Sequence, residues 1–267
     1  MIKHFKYNQS TIFYRVEGKG KTVVLLHGFG EDSNIFNQQI NFLKNYCQLI
    51  IPNLPGSGNS EILNEENGDI TIDDYATCIY ALLKQENIQS CIMLGHSMGG
   101  YITLSFTEMF PQYLKGFGLV HSTAFADSEE KKQNRLRGIE MMEEYGGYAF
   151  LKTTIPNLFS QNFKKNHPEK IAMLIEEGKK FSTKTLQQYY KAMMNRADRT
   201  SVLKNTLLAV LFIIGTEDVA APIKDVLQQS QLPLNAYIHI LENIGHMGMW
   251  EATEKLNQYL VNFIQTI

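Results

Sequence analysis

The chain has 267 residues, of which 44% are hydrophobic and only 19% charged, with a formal net charge of −2. Too apolar and too weakly charged for disorder, it is long enough to bury a large core without disulfides or metals. With 25 basic against 27 acidic residues there is no net positive field to neutralise phosphates, which argues against a nucleic-acid partner. Cys47, Cys78 and Cys91 are an odd count without CxxC spacing, so neither a disulfide framework nor a zinc site is expected. The opening MIKHFKYNQS has no apolar signal-peptide core, and the longest apolar run, Leu207 to Ile214, is far shorter than the ~20 residues of a membrane helix. A protein with no membrane span, working in the cytoplasm, is the expectation.

In chain order, Ser10–Val16 alternates apolar and polar residues and reads as a half-solvated antiparallel strand. Thr22–Leu26, Leu49–Ile51, Cys91–Leu94, Phe117–Val120, Val210–Ile214 and Tyr237–Leu241 are short, nearly continuous apolar runs. Continuous apolar strands suit a parallel sheet, because helices cover both of its faces. Amphipathic stretches lie between them, including Ile35–Tyr46 and Asp73–Glu86; in the second, Tyr75, Ile79, Leu82 and Leu83 share one face. This rhythm predicts a doubly wound α/β sheet.

The rhythm breaks between His121 and Lys204, where helical patterns follow one another without a convincing strand: Asp127–Glu144, Gly147–Phe159, Pro168–Lys180 and Thr183–Ala197. Such a stretch is too long for a loop and reads as a helical insertion. Its methionines and aromatics could form a small core of their own or roof an apolar pocket. The run Glu129–Arg137 (EEKKQNRLR) reads most simply as a solvated helix face.

One segment carries chemistry. Cys91–Gly100 runs from an apolar strand into a helical pattern and contains G-x-S-x-G as Gly95, Ser97 and Gly99. At a strand–helix junction that motif holds a serine on a sharp turn with its hydroxyl exposed, and the flanking glycines allow close chain approach. His27-Gly28-Phe29-Gly30 follows one strand, Gly215-Thr216-Glu217-Asp218 follows another, and Gly245-His246-Met247 follows the last.

On these motifs the sequence resembles the α/β-hydrolase family over nearly its whole length. The resemblance implies an eight-stranded, mostly parallel sheet flanked by helices, with residues 1–121 and 205–267 as core and 122–204 as a helical cap. It implies Ser97 as nucleophile, His246 as base and Asp218 as its acid, in the family's chain order, with the Phe29 and Met98 N–H groups as oxyanion hole. Glu217, or Asp127 or Glu129 after the Phe117–Val120 strand, are competitors for the acid. His27 is expected to be structural. His96, His121 and Met247 are candidates for the substrate-binding wall. Pro52–Ser60 is similar to the family's D-x-P-G-x-G-x-S loop, with Asn53 in place of the usual Asp. No HExxH-like spacing appears, so neither a metal nor another cofactor is implied.

The activity that follows is serine hydrolysis of a small carboxylic ester, with a small molecule as the binding partner. Carbon–carbon bond hydrolysis, cofactor-free peracid formation and lyase chemistry use overlapping triads and stay open, as does a slow-turnover small-molecule receptor. A nucleophilic serine argues against dehalogenases and epoxide hydrolases, which need a carboxylate nucleophile. Whether the protein is a monomer or a dimer is not readable.

Overall fold

The computed structural model describes residues 1–64 and 68–267. Its centre is an eight-stranded sheet: β1 (Ile2–Tyr7), β2 (Ser10–Glu17), β3 (Thr22–Leu26), β4 (Gln48–Pro52), β5 (Cys91–His96), β6 (Leu114–Val120), β7 (Ala209–Gly215) and β8 (Asn235–Leu241). The order across the sheet is β1-β2-β4-β3-β5-β6-β7-β8. Pairs β1/β2 and β2/β4 are antiparallel, and every other pair is parallel. The central strands are buried throughout, as both faces of a parallel sheet require: β5 and β7 carry almost no exposed residue. β2 alternates as expected. β1 was not anticipated from the residue pattern, since only Phe5 is buried in it.

Helices α1 (Asn37–Leu43), α2 (Ile72–Gln85) and α3 (Met98–Met109) follow β3, β4 and β5. α2 begins at a capping box in which the Thr71 hydroxyl accepts from Asp74 N–H and the Asp74 carboxylate accepts from Thr71 N–H, so two orphan donors are satisfied reciprocally. Between β6 and β7 the described chain forms no strand. It builds α4 (Glu129–Tyr145), α5 (Gly147–Thr154), α6 (Gln161–Asn166), α7 (Pro168–Glu177), α8 (Thr183–Met194) and α9 (Thr200–Asn205). After β7 come α10 (Ile223–Ser230), α11 (Gly248–Glu251) and α12 (Thr253–Thr266).

Two apolar clusters fill the molecule. One holds α2 and α3 against the sheet and takes in Tyr189 and Met193 of α8. The other gathers α1 and α12 and takes in Met142, Phe150 and Leu151 of α4 and α5. The helices between β6 and β7 therefore share both clusters with the sheet instead of enclosing a core of their own. No helix among the described residues is long and apolar enough to cross a membrane.

Candidate active site

The site forms where β3, β5, β6, β7 and β8 end at their carboxyl edge, the usual ligand position in an open α/β sheet. Ser97 sits between β5 and α3 with φ 52° and ψ −117°, a left-handed backbone that costs a non-glycine residue energy and persists only when its surroundings enforce it. Three contacts enforce it here: Ser97 N–H donates to Val120 O (3.0 Å), and Ser97 O accepts from Gly100 N–H (2.9 Å) and the Ser122 hydroxyl (2.7 Å). The flanking glycines are obligatory, because a Cβ on Gly95 would lie 2.2 Å from Gly99 O and one on Gly99 would lie 2.2 Å from Leu26 O. A Cβ on Gly28 would come within 3.1 Å of Ser97 Cβ, so the loop after β3 runs directly beside the serine.

His246 and Asp218 are buried together. The His246 Nδ1 lies 3.0 and 2.9 Å from the Asp218 Oδ1 and Oδ2. Oδ1 also accepts from the Ala220 and Ala221 N–H groups, each at 2.9 Å, and Oδ2 faces His121 Nδ1 at 3.1 Å. Burial works against the Asp218 charge, yet His246 and the hydrogen bonds from His121 and His246 outweigh it and hold the carboxyl well below its ordinary range. His246 is pulled both ways. Burial disfavours its cation, but the Asp218 carboxylate, with Glu31 and Glu251, prevails and raises it above the ordinary 6.5. Burial lowers His121, which is neutral with Nδ1–H toward Asp218 and a buried Nε2 that meets no partner among the described residues.

None of the competing acids is hydrogen-bonded to His246. Glu217 is exposed and accepts from Gln161 N–H, Asp127 is paired with Arg135 and Arg196, and Glu129 meets Lys132 on the surface. Burial keeps His27 neutral: its Nδ1–H donates to Gly28 O (2.9 Å), and its Nε2 accepts from Leu54 N–H (3.0 Å), tying the loop after β3 to the loop after β4. In that second loop the amide oxygen of Asn53 accepts from Ser33 N–H at 2.9 Å.

Ser97 and His246 open into one cavity of about 360 Å³, and Ser97 Oγ makes no hydrogen bond to any described residue. Phe29, Glu31 and Tyr101 line it from the sheet side; Leu158, Tyr190 and Met193 line it from the helices between β6 and β7. The N–H groups of Phe29 and of Met98, the first residue of α3, donate to nothing among the described residues. They remain free for an incoming oxygen.

Three expectations for the wall need correcting. His96, His121 and Met247 do not line the cavity. Met247 is fully buried in the apolar cluster beside α12. His96 is a strut: its Nδ1 lies 3.0 Å from Glu31 Oε2, whose other bond is from Gly28 N–H (2.7 Å), and its Nε2 lies 3.0 Å from His246 O. Glu31 thus links the loop carrying Phe29 to the loop carrying His246. Burial opposes its charge, but His96 and the Gly28 N–H outweigh this and hold its pKa below the usual carboxylate range. Reasoning from sequence missed Glu31, and an acidic residue four positions after His27 was the available signal.

The run Glu129–Arg137 is not simply a solvated face either. Lys131, Asn134 and Arg135 line the cavity, and Gly138 and Met142 are buried below them. Positions 131, 134, 135, 138 and 142 fall on one helical face, which was the legible signal.

His121, Asp218 and His246 are a group of potential metal ligands whose atoms lie within 4.8 Å of one another. Both imidazole Nδ1 atoms already face the Asp218 carboxylate, so a metal there would displace the hydrogen bonds that orient His246.

The model of the alpha/beta hydrolase fold family matches residues 21–126. The pimeloyl-[acyl-carrier protein] methyl ester esterase of Wigglesworthia glossinidia brevipalpis is 30% identical over 224 residues, 79% of this chain and 81% of that protein. The chain belongs to the α/β-hydrolase fold family. Another relative, the (E)-2-((N-methylformamido)methylene)succinate hydrolase of Acinetobacter baylyi, is 22% identical over 97% of this chain and 96% of its own length. In fold, this α/β hydrolase matches the solved thermophilic esterase of Thermogutta terrifontis with a TM-score of 0.90 at 24% identity, over 96% of this chain and 94% of that one.

Proposed function

We propose that this α/β hydrolase is a serine esterase acting on small carboxylic esters through an acyl-enzyme on Ser97. The observation that carries the reading is a buried, doubly hydrogen-bonded Asp218–His246 pair opening on the same cavity as a strained, unbonded serine hydroxyl. The esterases among its relatives support the ester bond as substrate.

In this mechanism the Ser97 Oγ attacks the ester carbonyl while His246 Nε2 takes its proton, and Asp218 stabilises the resulting imidazolium. The carbonyl oxygen becomes an oxyanion and accepts from Phe29 and Met98 N–H; each such donor is worth ~10²–10³-fold in rate. As the C–O bond breaks, His246 returns the proton to the departing alcohol. Water, deprotonated by His246, then attacks the acyl carbon, releases the acid and restores Ser97. Residues 122–204 act as a cap, contributing Leu158, Tyr190 and Met193 to the wall of the cavity.

The test is steady-state hydrolysis of short-chain p-nitrophenyl esters. Multiple turnovers that fall ~10³-fold or more in Ser97→Ala are expected. Turnover that survives the substitution refutes the reading, and one stoichiometric acylation without turnover favours a slow receptor.

A further inference from the structure

The wall that α4 presents to the cavity is cationic, and its charge is not internally balanced. Asp127 is the carboxylate among these groups, and its side chain is fully buried. It is shared by two guanidinium groups, Arg196 on Oδ1 and Arg135 on Oδ2. The Arg196 Nη1 donates to Asp127 Oδ1 and to Met193 O, both at 2.7 Å, its Nη2 donates to Phe125 O at 2.8 Å, and its guanidinium lies 4.0 Å from the centre of the Tyr101 ring. Both Arg196 Nη groups are thus committed to the structure, and only its buried Nε meets no partner among the described residues. Arg135 gives only its Nε to the same carboxylate. Its Nη1 and Nη2 make no hydrogen bond among the described residues, although the side chain is only 18% exposed and lines the cavity beside Lys131. Tyr190 packs on the guanidinium at 5.0 Å, which fixes the plane of its fork.

We infer that Arg135, assisted by Lys131, is the carboxylate-binding subsite of this cavity, so that the favoured substrates are esters bearing a second, anionic carboxylate. The inference rests on Ser97 being the nucleophile. A planar guanidinium with two free parallel donors matches a carboxylate bidentately. These donors face the cavity, and a ligand anion there gains a charge-assisted pair. The other carboxylate on the wall among the described residues, Glu31, is engaged by Gly28 N–H and His96. The field therefore runs from anionic near Ser97 to cationic at α4. It directs an anionic substrate tail toward Arg135 and leaves the neutral ester carbonyl at the serine.

The tail can sit on the acyl or the alcohol side of the ester, and the two are separable. Hydrolysis by the full chain is followed by proton release on monomethyl glutarate and monomethyl adipate (acyl side), and on acetoxyacetate (alcohol side). Methyl pentanoate, methyl hexanoate and ethyl acetate serve as neutral partners. At least one charged series is expected to be preferred in kcat/KM by about tenfold or more, mainly through KM, and the preference weakens with added salt. Arg135→Gln cuts that ratio ~10–100-fold, the scale of a hydrogen bond to a charged group, and Arg135→Lys restores part of it.

Two further measurements do not depend on that variant folding well, or on turnover. Adipate, but not adipamide, should inhibit the wild-type protein competitively, and the Ser97→Ala chain should bind monomethyl adipate measurably by calorimetry. The inference is overturned if both charged series are no better than their neutral partners and adipate neither inhibits nor binds. If no ester is cleaved and Ser97 resists a phosphonate while adipate still binds, the esterase reading fails and the subsite stands.

Discussion

In the proposed mechanism Asp218 is the residue on which the chemistry turns, because its carboxylate receives two imidazoles and two backbone N–H groups at once. The second imidazole, His121, holds its place at a strained φ of 49°. For His246 the consequence is a pH dependence with a definite sign. A general base must be neutral, and the charge of Asp218 raises His246 above 6.5, so activity is lost as pH falls through a midpoint above that value. In Asp218→Asn the charge that holds the imidazolium is gone and burial prevails. The midpoint should move to lower pH, while the plateau of kcat/KM drops ~10⁴-fold, as in other triads deprived of their acid. A pH–rate profile of both proteins decides it; an unmoved acidic limb would show that Asp218 does not set His246.

At the scale of elements, the site is a set of strand ends brought to one edge. The β5–α3 elbow is the tightest of them. Gly99 lies against Leu26 O of β3, and that contact leaves no space for a methyl group. Gly99→Ala should therefore push α3 from β3 and misplace the Met98 N–H, at about 1–3 kcal/mol in stability and with a disproportionate loss of kcat, readable by denaturant unfolding beside kinetics. Elements with periodic apolar patterns were legible in the sequence, and so was the place of each motif just after a strand. What escaped was decided by contacts between distant segments. β1 buries little but Phe5, and its strand character comes from pairing with β2. The Glu31–His96–His246 strut joins positions 65 and 150 residues apart. Arg135 looked solvated because its partner Asp127 and its stacking partner Tyr190 come from either side of α4 in the chain.

For the molecule as a whole, the helices between β6 and β7 and the sheet are one packing unit. His246 N–H donates to Leu158 O at 2.7 Å, and a Cβ on Gly245 would strike that same oxygen at 2.6 Å. The loop carrying His246 thus rests on the segment that also walls the cavity. The modest charge of the chain has a counterpart here: a sheet covered on both faces, with helices whose undersides join its core, leaves few positions for charge. Length alone allows two independent domains, and the shared clusters make them interdependent.

The most direct test of the account is where an activated phosphonate reacts. Incubation with a fluorophosphonate, followed by intact mass and peptide mapping, should show one adduct per chain on Ser97. The adduct should be absent in Ser97→Ala and form far more slowly in His246→Ala. An unlabelled protein, or an adduct on any other residue, would contradict the assignment of Ser97 as nucleophile.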